Sequence, residues 1–109
     1  MKFSIRNFLT ACLLCAPATL MTTGLRAADA AAGKAVYAAK CKNCHGADGT
    51  PSAGMAKAMS IKPMSDPSIQ GKSDAGLKTA ISGGVGKMKA QSVTGADLDN
   101  VVAAIRTMK

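Results

Sequence analysis

Downstream of Ala27 this chain holds one aromatic side chain, Tyr37, and that scarcity limits what it can fold into. Short chains bury a small fraction of their surface. Those without bulky core residues rely on a staple: disulfides, a metal or another rigid insert. The part to be stapled is residues 28–109, because residues 1–27 read as an export leader. Lys2 and Arg6 make a positive start, Phe8 to Leu20 is a run of apolar and small residues, and Leu25-Arg26-Ala27 and Ala28-Asp29-Ala30 offer cleavage sites. That is the order of a secretory signal peptide, cut after Ala27 or after Ala30, and it places the protein in the periplasm. The apolar run is shorter than the about 20 residues that cross a bilayer, so no stable membrane anchor is expected. Leu9-Thr10-Ala11-Cys12 is similar to a lipoprotein cleavage box, but a cut there leaves almost no apolar run after Arg6.

Removal of the leader takes away Lys2, Arg6 and Arg26 and no acid, so the net charge falls from +8 to +5. A net positive charge of this size suits an acidic protein partner or an anionic surface. Nucleic acid is a poor partner for an exported chain whose lysines are scattered and whose one aromatic is Tyr37.

Four cysteines form two Cys-x-x-Cys pairs, Cys12/Cys15 and Cys41/Cys44. Two such pairs suggest a zinc ribbon, but Cys12 and Cys15 lie in the apolar run of the leader, where they act as hydrophobic filler. The remaining pair reads Cys41-Lys42-Asn43-Cys44-His45, and His45 is the chain's sole histidine. Cys-x-x-Cys-His is the attachment signature of c-type haem. Two thiols separated by two residues reach the two vinyl groups along one porphyrin edge, and the next residue turns its imidazole to the iron. A thiol–disulfide oxidoreductase needs a strand–helix context that this sequence lacks. A plain disulfide leaves the adjacent histidine unexplained. One covalent haem c is therefore the expected staple.

Residues 30–40 are alanine-rich and free of proline, which favours helix, and Gly33, Val36, Tyr37 and Lys40 share one face. Gly46 to Gly54 reads as a loop, followed by a short helix from about Ser52 to Met59. Ile61 to Gly71, with Pro63 and Pro67, is expected to be a wrapping loop. Ser73 and Asp74 are suited to cap a helix carrying Leu77, Ala80 and Ile81. Gly83, Gly84 and Gly86 end it and open a loop to about Val93. Thr94 is placed to cap a last helix, with Asp97 near its positive end and Leu98, Val101, Val102, Ile105 and Met108 on its apolar face. The expected fold is all-α, one domain over 28–109.

Methionine is the natural second axial ligand opposite a histidine in an electron carrier. Met55 and Met59, four apart on a helix, read as core packing, and Met108 as part of the last helix's apolar face. Met64 follows Pro63 in the wrapping loop and either reaches a haem or walls it. Met88 sits in the glycine-rich loop between Lys87 and Lys89, where packing gives it little reason to be, and is assigned as the distal ligand. Lys40, Lys42, Lys57, Lys87 and Lys89 are candidates for a positive rim.

Together these residues resemble the short bacterial class I cytochromes c, over essentially the whole of 28–109. The resemblance is carried by Gly33 and Tyr37, the run Cys41 to Gly49, the Gly86-Lys87-Met88 loop and the closing Ala104-Ile105-Arg106. It implies crossing N- and C-terminal helices, with Gly33 allowing close approach, and iron ligated by the motif histidine and the loop methionine. It also implies a proline carbonyl, here Pro51, as acceptor for the histidine's other N–H. Three positions depart from the pattern: Lys89 stands where a proline usually follows the methionine, Ala104 where an aromatic is usual, and Gly76 where an acid is common. A less filled helix crossing is expected. The function implied is electron transfer rather than catalysis. The alternatives are a subunit of a dehydrogenase or oxidase, or an open-site haem sensor or peroxidase if Met88 does not ligate.

Covalent attachment predicts a haem-stained band at the chain's mass on denaturing gels, surviving acid-solvent extraction. Cys41→Ala and Cys44→Ala should each weaken that band, and a band that washes out of the intact protein contradicts the assignment.

Overall fold

The computed structural model describes residues 27–109. The expected leader, with Cys12 and Cys15, lies outside the described residues except for Ala27. Six helices follow in order: α1 Ala30–Lys40, α2 Lys42–His45, α3 Ala53–Met59, α4 Pro67–Gln70, α5 Asp74–Gly83 and α6 Gly95–Arg106. No strand occurs among the described residues; Val85 and Met88 form one isolated bridge. None of the described helices is long and apolar enough to cross a membrane.

α1 starts where Asp29 accepts hydrogen bonds from the Ala31 and Ala32 amides, and it buries Gly33 and Tyr37. Its main partner is α6, whose buried residues are Val101, Val102, Ala104 and Ile105. The two helices meet at Gly33. A β-carbon there would lie 1.8 Å from the Asn100 carbonyl oxygen, so only glycine permits the approach. Asn100 also accepts the Asp29 N–H through its side-chain oxygen, at 2.8 Å, fastening the start of α1 to the side of α6. Ala104 is fully buried. A small residue in place of an aromatic therefore lets the helices close rather than leaving the crossing open.

The core is aliphatic around Tyr37: Met64, Leu77, Ile81, Val93, Val101, Val102 and Ile105. Arg106 ties α6 to the α4–α5 link. Its guanidinium donates to the Gln70 carbonyl at 2.7 Å and to Asp74 at 2.8 Å. Gln70 in turn donates to the Met64 carbonyl at 2.7 Å and to the Ile105 carbonyl at 3.0 Å.

Three local expectations need correction. The stretch from Ile61 to Gly71 is not all loop, because Pro67 begins α4 rather than breaking structure. Asp66 caps the Ser68 amide, and proline at the first helical position loses no needed hydrogen bond. Thr94 stands at the N-cap of α6 without a side-chain cap bond, since the chain turns into the helix through Gly95 at φ +58°. Met108 lies beyond α6, which ends at Arg106, though it still packs against the core. The cap expected at Ser73 is present, its hydroxyl accepting from the Gly76 amide, and Ser52 caps α3 in the same way through the Met55 amide. The Ser73 bond occupies the N–H of Gly76, the position where an acid was missing.

The crossing predicts that Gly33→Ala forces α1 and α6 apart. The expected cost is about 1–3 kcal/mol, the usual penalty of overpacking a close contact, read as a lower denaturant midpoint of the haem-loaded protein.

Candidate functional site

α1 delivers the motif. Cys41 closes α1, its amide donating to the Tyr37 carbonyl at 2.8 Å, and at once opens the single turn α2. Within that turn the His45 amide donates to the Cys41 carbonyl at 3.0 Å and the Gly46 amide to the Lys42 carbonyl at 2.8 Å. Four residues are thus wound so that Cys41, Cys44 and His45 all border the same cavity. Tyr37 secures the turn's end: its hydroxyl donates to the Gly46 carbonyl at 2.8 Å.

That cavity has a volume of about 710 Å³, well within the roughly 300–1,000 Å³ of ligand sites. Ile69, Ile81 and Ile105 line its interior, Met59, Ile61 and Met64 contribute from the α3 side, and Val85 to Lys89 close over it. Cys41 and Cys44 are not joined in a disulfide. Burial holds His45 below the usual imidazole range, which favours the neutral ring that ligates metal. Its Nδ1 is buried with no hydrogen-bond partner. Burial, and secondarily Cys44, pushes the Cys41 thiol up. An apolar chamber with two thiols and a neutral imidazole on one wall fits a haem, which would supply reversible one-electron chemistry at iron.

The orphaned Nδ1 corrects one expectation, for Pro51 does not accept from His45. The loop after the motif folds back so tightly that a β-carbon on Gly46 would lie 1.9 Å from the Thr50 carbonyl oxygen. The Thr50–Pro51 peptide is held against Gly46.

Met88 lines the cavity in a two-residue hairpin. The Val85 and Met88 backbones exchange hydrogen bonds at 3.0 and 2.9 Å. Gly86 takes φ +55° between them, the left-handed conformation that tight hairpin turns demand. Gly84 lets the loop fold back on itself, since a β-carbon there would lie 2.7 Å from the Met88 carbonyl oxygen.

The other methionines sort differently from expectation. Met55 and Met59 do not belong to the core; both are half-buried, and Met59 instead lines the cavity, because α3 is too short to bury a face. Met64 is buried in the core and also lines the cavity. It packs close to Gly49 in the loop after the motif, as does the Met108 sulfur. Among the lysines, Lys40, Lys87 and Lys89 border the cavity, but Lys42 and Lys57 do not; Lys62 takes a place the sequence did not suggest. Met59, Lys62 and Gln91 were missed because none belongs to a motif, and only the path of the chain brings them to the cavity.

A family model described as cytochrome c oxidase, cbb3-type, subunit III matches residues 28–103. The chain belongs to this family of c-type cytochromes. Among solved structures it is similar to the KustC0563 c-type cytochrome, at 26% identity and a TM-score of 0.62, covering 71% of this chain and 96% of that one. No curated protein matches. The all-helical cytochrome thus has the class I fold, and haem-based electron transfer is its activity.

Tyr37 gives this cytochrome a pH signature. Burial, with smaller contributions from Cys41 and Asp48, pushes its hydroxyl from 10.0 up to about 12. Folding therefore favours the protonated phenol. That contribution is complete below pH 10 and is lost as pH rises through about 12. Tyr37→Phe should abolish this part of the alkaline stability loss, measured by unfolding midpoints from pH 9 to 12. It should also lower stability at neutral pH by about 1 kcal/mol for the missing bond to Gly46.

Proposed function

We propose that this cytochrome is a periplasmic electron carrier holding one haem c, thioether-bound to Cys41 and Cys44, with His45 and Met88 as axial iron ligands. The observation that carries the reading is the placement of Met88: a half-buried loop methionine at the edge of the core, pinned by a glycine hairpin at the cavity that the motif borders. The leader sequence supports export, and the single Cys-x-x-Cys-His run supports one haem. His45, kept neutral by burial, would hold the iron through its lone pair. The Met88 thioether would favour the ferrous state.

Among the described residues, the cavity lining includes no carboxylate and no imidazole besides His45. No such proton-handling pair faces the open side, which favours a carrier over a peroxidase. Lys40, Lys62, Lys87 and Lys89 at the cavity suit a redox partner with an acidic docking patch. A second reading, an electron-transfer subunit of an oxidase, rests on the description of the matching family. It would show as co-purification with a larger membrane complex.

The ligand assignment predicts that Met88→Ala lowers the reduction potential by on the order of 0.1 V, within the roughly 0.8 V that axial ligands command. It should also open the ferrous iron to carbon monoxide while the haem stays attached. Met64→Ala is the control. If it opens the iron and Met88→Ala does not, the ligand is Met64; if wild-type ferrous protein binds carbon monoxide readily at neutral pH, the site is that of a sensor or peroxidase.

A further inference from the structure

The Met88 hairpin lacks the proline that resembling chains place after the methionine. Met88 packs against the edge of the core, and the Gln91 amide ties the loop's exit to the Ile81 carbonyl at 2.8 Å; a side-chain bond ties the hairpin to the α3 wall as well. The Lys87 ammonium donates to the Ala58 carbonyl at 2.8 Å, joining segments 29 residues apart in sequence. Ala58 lies in the last turn of α3, where carbonyls have no intrahelical donor. The backbone of Ser60 and Ile61 turns back to the Ala56 carbonyl instead, leaving Ala58 to Lys87. A cation at this end of a helix meets the negative pole of its dipole as well as a free acceptor. Met59, Ser60 and Ile61 beside Ala58 and Val85 to Lys89 beside Lys87 line the same cavity. The bond therefore spans two separate walls of the haem chamber. Lys89, the other flanking lysine, makes no such bond to α3 among the described residues.

We infer that Lys87 is a positioning residue for the distal ligand: by bridging to the Ala58 carbonyl it holds Met88 over the iron, supplying the restraint that a proline at position 89 would otherwise give. This rests on the assignment of Met88 as ligand. Gly84 and Gly86 set the shape of the loop, but glycines also leave it free to open. The Val85–Met88 pair closes the hairpin and the Gln91–Ile81 bond ties its exit to α5; the Lys87 bond adds the tie to the α3 wall. The role calls for a long, charged donor, so arginine should preserve it and leucine should not. The same change of charge at Lys89 should have little effect.

The test uses the haem-loaded protein with Lys87→Leu, Lys87→Arg, Lys89→Leu and Met88→Ala. Three readouts are compared with wild type: the near-infrared thioether–iron absorption, the rate of carbon monoxide binding to ferrous protein, and hydrogen exchange at the Val85 and Met88 amides. Lys87→Leu should weaken the absorption and speed carbon monoxide binding and amide exchange by roughly three- to tenfold, the scale of one typical net hydrogen bond. Lys87→Arg and Lys89→Leu should stay within about twofold of wild type, which excludes a general effect of charge near the iron. Equal behaviour of Lys87→Leu and Lys89→Leu, with Met88→Ala opening the iron, overturns the bridge and leaves the ligand assignment standing. A Met88→Ala protein with unchanged absorption and carbon monoxide binding overturns the ligand assignment, and the positioning role falls with it. Unfolding midpoints of all four variants separate these results from loss of fold.

Discussion

The bond from the Tyr37 hydroxyl to the Gly46 carbonyl is the contact on which the rest of the molecule turns. Tyr37, on α1, is almost wholly buried and is the only aromatic among the described residues. Its ring fills the interior while its oxygen reaches the residue after His45. One side chain thus fixes the packing of α1 and the end of the turn that carries the two cysteines. Buried phenols need a hydrogen-bond partner. Here the partner is the backbone of the motif, so the requirement of the core is met by ordering the site.

The proximal half of the site was legible in the sequence because it is local. Cys41, Cys44 and His45 lie within one helical turn, and a turn winds the same way whatever surrounds it. α1, α3, α5 and α6 were legible from alanine content, serine caps and apolar spacing. What escaped was set by tertiary placement. Pro67 starts a helix because Asp66 precedes it, a reading that competes evenly with a loop when only the prolines are weighed. Met59 and Lys62 reach the cavity through the course of the chain between α3 and α4, and no spacing rule reports that course. Which acceptor, if any, faces the His45 Nδ1 is likewise set by the path of the loop after the motif, and here none does.

The two walls of the cavity are built on different principles. On the motif side a helical turn, a buried phenol and a packed core restrain each atom by several contacts. On the Met88 side the chain has glycines, a two-residue hairpin and few buried side chains; Val85, beside Met88, is 60% exposed. Opening free energies follow local contact density. Motion at this site is therefore concentrated on the Met88 side, while the wall carrying the cysteines stays fixed.

The contact between Asp29 and Asn100 joins positions 71 residues apart. A ribosome releases α1 long before α6 exists. Until α6 arrives, Gly33 and Tyr37 lack their main packing partner and the turn after Tyr37 remains uncovered. The order of synthesis thus leaves the two thiols accessible before the core closes, so cofactor attachment can precede closure.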